Sequence, residues 1–220
     1  MPTSTRLLVR VGDGRGFVVE ERLGSRRLVV TAAHCLPEFP RTPLDREAWR
    51  ETTRDILGPL GAETSVWAQV LSADPISDVA VLGSPDDQEL GAQADTYGKL
   101  VHSIRPLKVG GAIPWDTPAP ARLIALDGRP IEGVVRHIGG GLYADNLTGP
   151  IGGGMSGSPV LNQAGEAIAF VSQSSETNGR TTGGHLPRLV DCLPGHFIIS
   201  LGLAKLLAAE QSLAQAYYRR

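Results

Sequence analysis

Only two of the 220 residues are cysteine, at positions 35 and 192, and neither belongs to a Cys-x-x-Cys pair. That scarcity excludes the disulfide-dense scaffolds of small secreted domains and the paired-thiolate metal sites. The five histidines, His34, His102, His137, His185 and His196, are too scattered for a close-spaced ligand set, so no metal and no cofactor are expected. Neither sign of charge dominates: 21 Lys and Arg against 23 Asp and Glu leave a formal charge of −2. Nothing in that balance suits nucleic acid or an anionic membrane, and the terminal Arg219-Arg220 pair is too short to change it. No apolar run approaches the ~20 residues that span a bilayer. The start, Met1 to Arg6, enters Leu7-Leu8-Val9-Arg10-Val11 without the apolar core of a signal peptide. Few cysteines and no visible leader give a cytoplasmic expectation. There is no internal repeat, low-complexity tract or convincing linker.

What is present is a series of short apolar runs broken by Gly, Pro, Asp and Asn. They cover 17–20, 28–31, 66–71, 79–82, 121–126, 134–138, 159–161 and 168–172. Runs of that length and spacing read as strands of all-β barrels, with no βα alternation. The chain is long enough to bury a substantial core as one unit. Two stretches read as helices. Thr42-Pro43-Leu44-Asp45 has an N-cap and a first-turn proline, and Gly58 is placed to stop the helix, which predicts an insertion over 43–57. Leu203, Leu206, Leu207, Leu213, Ala214 and Tyr217 share one face at helical spacing, which predicts a closing helix over 201–220.

Three segments carry chemistry: Thr31-Ala32-Ala33-His34-Cys35, Ser77-Asp78-Val79-Ala80-Val81-Leu82, and Gly152-Gly153-Gly154-Met155-Ser156-Gly157-Ser158-Pro159-Val160. A serine hydroxyl is a poor nucleophile at neutral pH and needs a base within reach, itself oriented by a third group. Histidine titrates in the right range for a base, and a carboxylate can fix its tautomer. Each residue alone has a plainer reading: a core histidine, a turn aspartate, a flexible glycine loop. Their coincidence, each with its own strand-like neighbours, favours the chemical reading. Asp74 competes with Asp78 as the orienting group, but only Asp78 runs directly into Val-Ala-Val-Leu.

These segments, in the order His, Asp, Ser, resemble the chymotrypsin-fold serine peptidases in their bacterial trypsin-like branch. Gly14-Arg15-Gly16-Phe17-Val18-Val19 and Gly165 to Ser172 extend the likeness. The resemblance implies two six-stranded Greek-key β-barrels with the active site between them. It divides the single 1–220 unit into an N-terminal barrel over about 1–98, a C-terminal barrel over 99–200 and the helix 201–220. It implies His34 as base and then acid, Asp78 as orienter and Ser156 as nucleophile. The backbone N–H groups of Gly154 and Ser156 would form the oxyanion hole. Pro150, Ser172, Gln173 and Ser174 would line the substrate pocket, with Pro150 where trypsin has the aspartate that selects basic residues. Asp145 is the one nearby carboxylate able to replace that aspartate if the loop folds back. Met155 stands where family zymogens carry the aspartate of their activation switch. Secreted relatives pair the cysteine beside the histidine with an upstream cysteine; here the nearby upstream residues, such as Val18 and Val19, are apolar. Cys35 therefore reads as a small buried hydrophobe, although the sequence leaves a Cys35–Cys192 bridge open.

The function implied is a serine endopeptidase acting on a protein or peptide through an acyl-enzyme. By analogy it serves a bacterial regulatory or defence system and has a regulatory protein partner. The alternative is a protease-fold binding module that captures a peptide without turnover.

Overall fold

The computed structural model describes residues 7–22, 26–38, 51–111, 113, 117–138, 141–177, 180–206 and 208, with side chains at all of these but 141, 173–177 and 180–185. Six strands close the first barrel: β1 (Leu8–Val11), β2 (Gly14–Glu20), β3 (Arg27–Ala32), β4 (Thr52–Pro59), β5 (Val66–Asp74) and β6 (Val79–Gly83). Their order round the ring is β1-β2-β3-β6-β5-β4. The valine-rich runs of β2, β3 and β6 are buried along nearly their whole length. β-Branched side chains pack well on a pleated surface, and a closed ring leaves no edge unpaired.

The second sheet has seven strands: β7 (Ala119–Ile124), β8 (Pro130–Ile138), β9 (Gly141–Asp145), β10 (Pro159–Leu161), β11 (Ala167–Phe170), β12 (Gln173–Thr177) and β13 (Arg180–His185). Their order is β11-β10-β7-β8-β9-β13-β12. Just past β13 the chain returns to β11: Ala169 bridges Arg188, and Phe170 N–H donates to Pro187 O at 3.3 Å. Those contacts curl the seven-stranded sheet into a half-barrel, the second of the two barrels. A separate apolar cluster fills it, including Leu123, Ile131, Val135, Met155 and Val160.

Helix α1 (Gly91–Ser103) joins the two sheets, and the expected boundary at 98/99 falls inside it. Its buried residues, Tyr97, Leu100 and Val101, face the first barrel. The Tyr97 hydroxyl donates to Arg27 O at 2.8 Å, and the Arg27 guanidinium caps the helix end on Val101 O and Ile104 O, both at 3.1 Å. Two short helices follow β13: α2 (Leu189–Cys192) and α3 (Gly195–Ser200).

The helix expected over 43–57 is corrected in its described part. Residues 39–50 lie outside the described residues, but Thr52–Pro59 is strand β4, paired with β1 and β5. A helix there would leave the first barrel open between those two strands. Burial of Ile56 and Leu57 in the ring overrides the helical start signal upstream. Gly58 serves a close approach: a Cβ there would lie 2.4 Å from Glu63 O. Of the 201–220 helix, residues 201 and 202 form a turn and 204–206 are helical; 207 and 209–220 lie outside the described residues.

Candidate active site

The first barrel delivers two side chains from neighbouring strand ends. A single 3₁₀ turn, Ala33–Cys35, follows β3 and carries His34. The tight β5–β6 connection carries Asp78 in the left-handed region, at φ 52°, which aspartate tolerates better than most residues. Asp74, the competing carboxylate, is used to shape this turn: its Oδ1 accepts Ile76 N–H at 2.8 Å.

Strand pairing of Ala32 with Val79 brings the two ends together. Ala33 N–H donates to Asp78 O at 3.0 Å and His34 N–H to Asp78 Oδ1 at 3.0 Å, while His34 Nδ1 lies 2.8 Å from Asp78 Oδ2. A carboxylate oxygen accepts, so this contact fits the ring form with its proton on Nδ1. The imidazole is 40% exposed and the carboxylate 13%, so the ring meets solvent far more than the carboxylate does.

Ser172 adds a third donor. Its hydroxyl donates to Asp78 Oδ2 at 2.5 Å, and the residue is buried. The side chain expected to line the substrate pocket is therefore committed to the aspartate. Gln173 and Ser174 follow as the first residues of β12, paired through the backbone with His185 and Gly184; their side chains lie outside what is described. Pro150 is exposed on the loop that leads to the glycines.

The serine loop belongs to the second barrel but is clasped by the first. Arg15 N–H donates to Ser156 O at 2.8 Å, and Gly157 N–H to Val171 O at 2.7 Å. Gly157, at φ 78°, sits so close to the first barrel that a Cβ would lie 1.9 Å from Arg15 O and 2.6 Å from Thr31 Oγ1. Only glycine meets both conditions. Gly14 is the hinge of the arrangement: a Cβ there would lie 2.4 Å from Cys35 Sγ and 2.8 Å from Ser156 O. One glycine thus lies close to both the neighbour of His34 and the carbonyl of Ser156.

Beneath the loop, Met155 is 1% exposed and packs in the second core, with its Sδ accepting Gly152 N–H at 3.5 Å. Met155 N–H donates to Gly152 O and Ser158 N–H to Met155 O. Between Gly152 and Ser158 the amides of Gly153, Gly154 and Ser156 have no acceptor among the described residues. The Gly154 and Ser156 N–H groups, on a loop held by packing, are suited to receive a developing oxyanion.

Three expectations are refined here. The residue facing Cys35 is Gly14, and neither Val18 nor Val19. Both cysteines are free; burial pushes the Cys35 thiol up to about 11 and Cys192 up to about 12. Asp145 is held by Arg136 across the β8–β9 pair and also accepts Asn146 N–H at 2.8 Å, so it does not fold back toward the glycine loop.

A family model described as a trypsin-like peptidase domain matches residues 14–170. Among solved structures, the chain is similar to the Rv3671c protease in an inactive form, at 18% identity over 90% of each chain with a TM-score of 0.52. It is also similar to an inactive serine-to-alanine mutant of Rv3671c from M. tuberculosis H37Rv, at 17% identity over 92% of this chain and 90% of that one, TM-score 0.52. At such identities the likeness speaks for the two-barrel fold. A curated protein named tRNA (guanine-N(7)-)-methyltransferase, from Rhodopseudomonas palustris (strain HaA2), is 32% identical over 108 residues. That match covers 47% of this chain and 40% of the relative's length, so the chain spans well under half of it and the name remains that protein's own. The family match covers most of the chain and takes in the His34, Asp78 and Ser156 segments: this chain belongs to the trypsin-like peptidase domain family.

Proposed function

We propose that the chain is a serine endopeptidase that hydrolyses peptide bonds through an acyl-enzyme. The observation that carries this reading is the donor set on Asp78, from His34 Nδ1, His34 N–H and Ser172 Oγ, beside a serine loop whose Gly154 and Ser156 amides are unused among the described residues. His34 Nε2 takes the Ser156 proton as Oγ attacks the carbonyl carbon. Asp78 holds the resulting imidazolium, and the Gly154 and Ser156 N–H groups hold the oxyanion. The imidazolium then gives its proton to the departing amine. Water repeats the sequence on the ester and releases the acid.

The substrate is a protein segment, selected by something other than a basic residue on the acyl side. Sparse free cysteine supports a reducing, cytoplasmic setting, in which a partner directs the enzyme to its target.

The test is labelling by a serine-directed fluorophosphonate together with hydrolysis of a peptide library. The full chain should label and cleave. Ser156→Ala should abolish labelling, and Ser156→Ala or His34→Ala should lower kcat by on the order of 10⁶. A chain that binds peptides yet neither labels nor cleaves would establish the binding-module alternative.

A further inference from the structure

Three charged residues are buried among those described: Arg15, Glu21 and Arg188. Glu21 pairs with Arg26 at 2.6 Å and Arg188 with Asp191 at 3.5 Å. Arg15, the second residue of β2, is 3% exposed and has no carboxylate partner among the described residues. Its Nη1 donates instead to Ile124 O at 2.9 Å and Ala125 O at 3.2 Å. Taking a guanidinium out of water to meet neutral carbonyls is a costly way to stabilise a fold, because the carbonyl dipoles return only part of the lost hydration. For stability alone, a well-packed apolar side chain serves as well.

What the guanidinium accomplishes follows from the other attachments of the same residue. Arg15 O accepts the hydroxyl of Thr31 at 2.7 Å, on β3 and three positions before His34. Arg15 N–H donates to Ser156 O at 2.8 Å. The side chain adds a third attachment, to Ile124 at the end of β7 in the second sheet. β7 pairs with β10 through Arg122 and Leu161, and β10 begins at Pro159, three positions past Ser156. The contacts therefore close a circuit: from Arg15 to Ser156, along the chain to β10, across to β7, and back through the guanidinium to Arg15. One N–H···O bond leaves the serine loop able to pivot about the Ser156 carbonyl, whereas a closed circuit does not.

We propose that Arg15 is a positioning residue for the reaction, its guanidinium holding the Ser156 loop in one orientation against the strand that leads to His34. The inference rests on the peptidase reading above. Arg15 touches no reacting atom and acts through Ser156. The Gly154 and Ser156 amides ride on the same loop, so a pivot turns both donors from the developing oxyanion and moves the nucleophile relative to its base. Those interactions are made in the transition state, so losing them lowers the rate of acylation and leaves the preceding binding step as it was.

The experiment measures the limiting rate constant of fluorophosphonate labelling and the half-saturating probe concentration, each at a temperature where calorimetry shows the protein folded. Arg15→Met should lower the limiting rate about tenfold, less than the ~10² that a 1 Å misplacement costs, with the half-saturating concentration unchanged. Arg15→Lys keeps a cationic donor on a stem one atom shorter, and should recover part of the loss, running about threefold below the native chain. Arg26→Met leaves the buried Glu21 without its partner, and should lower Tm while keeping the native limiting rate. A limiting rate in Arg15→Met within about twofold of native, or a loss carried by the half-saturating concentration, overturns the proposal. If Arg15→Met does not fold, Arg15→Lys decides, and labelling at the native rate overturns it. A native chain that does not label at Ser156 overturns the peptidase reading, and this proposal with it.

Discussion

Gly157→Ala tests the clasp between the two barrels. The added Cβ would begin 1.9 Å from Arg15 O, 2.6 Å from Thr31 Oγ1 and 3.0 Å from Ala32 N, all on the first barrel. Reaching an ordinary carbon–oxygen separation of ~3.3 Å requires the loop to withdraw by about 1.4 Å. That withdrawal strains the Arg15 N–H bond to Ser156 O and the Gly157 N–H bond to Val171 O, each worth about 1 kcal/mol net. The residue must also keep φ near 78°, which costs alanine a further ~1 to 2 kcal/mol. Together these give about 3 to 4 kcal/mol, a fall in Tm of roughly 10 °C for a chain of this size. The kinetic effect should be larger than stability alone explains, because a 1 Å displacement of a reacting group can cost ~10² in rate. The assay is scanning calorimetry beside the fluorophosphonate labelling rate, taken at a temperature where both proteins are folded. Activity within threefold of the native chain, with Tm within about 2 °C, would show that Ser156 is not positioned by this contact.

Because Met155 is buried in the second core and carries no charge to pair with a new N-terminus, the untrimmed chain should label at Ser156. Intact-mass spectrometry that finds label only on a shortened form would refute packing as the source of loop order. Peptide-library profiling should show no dominant cleavage after Lys or Arg, and Asp145→Ala should leave the profile unchanged because Asp145 is engaged by Arg136. Cutting after basic residues that disappears in Asp145→Ala would overturn that placement. Burial raises the pKa of Cys35 to about 11, of Cys192 to about 12, and that of Tyr97 as well, so the folded chain holds these protons more tightly than the unfolded one. The associated stability is fully present below the ordinary thiol pKa and is lost as pH rises through 9 toward 11 and above. Denaturant midpoints that stay level from pH 8 to pH 11 would contradict it.

The three candidate site segments were legible because each residue sits among sequence neighbours that its position requires: a valine strand before His34, another after Asp78, glycines before Ser156. The contacts that make them a site are long-range and carry no local mark. Ser172 reaches Asp78 across 94 positions, and Arg15 reaches Ile124 across 109. Gly14 faces Cys35 only because β2 and β3 pair in that register. Among the elements, β4 escaped because its start, Thr52 to Asp55, is polar and bulged, and only closure of the ring decides its state. Helix α1 escaped because it holds two glycines, has no side-chain cap and buries only Tyr97, Leu100 and Val101.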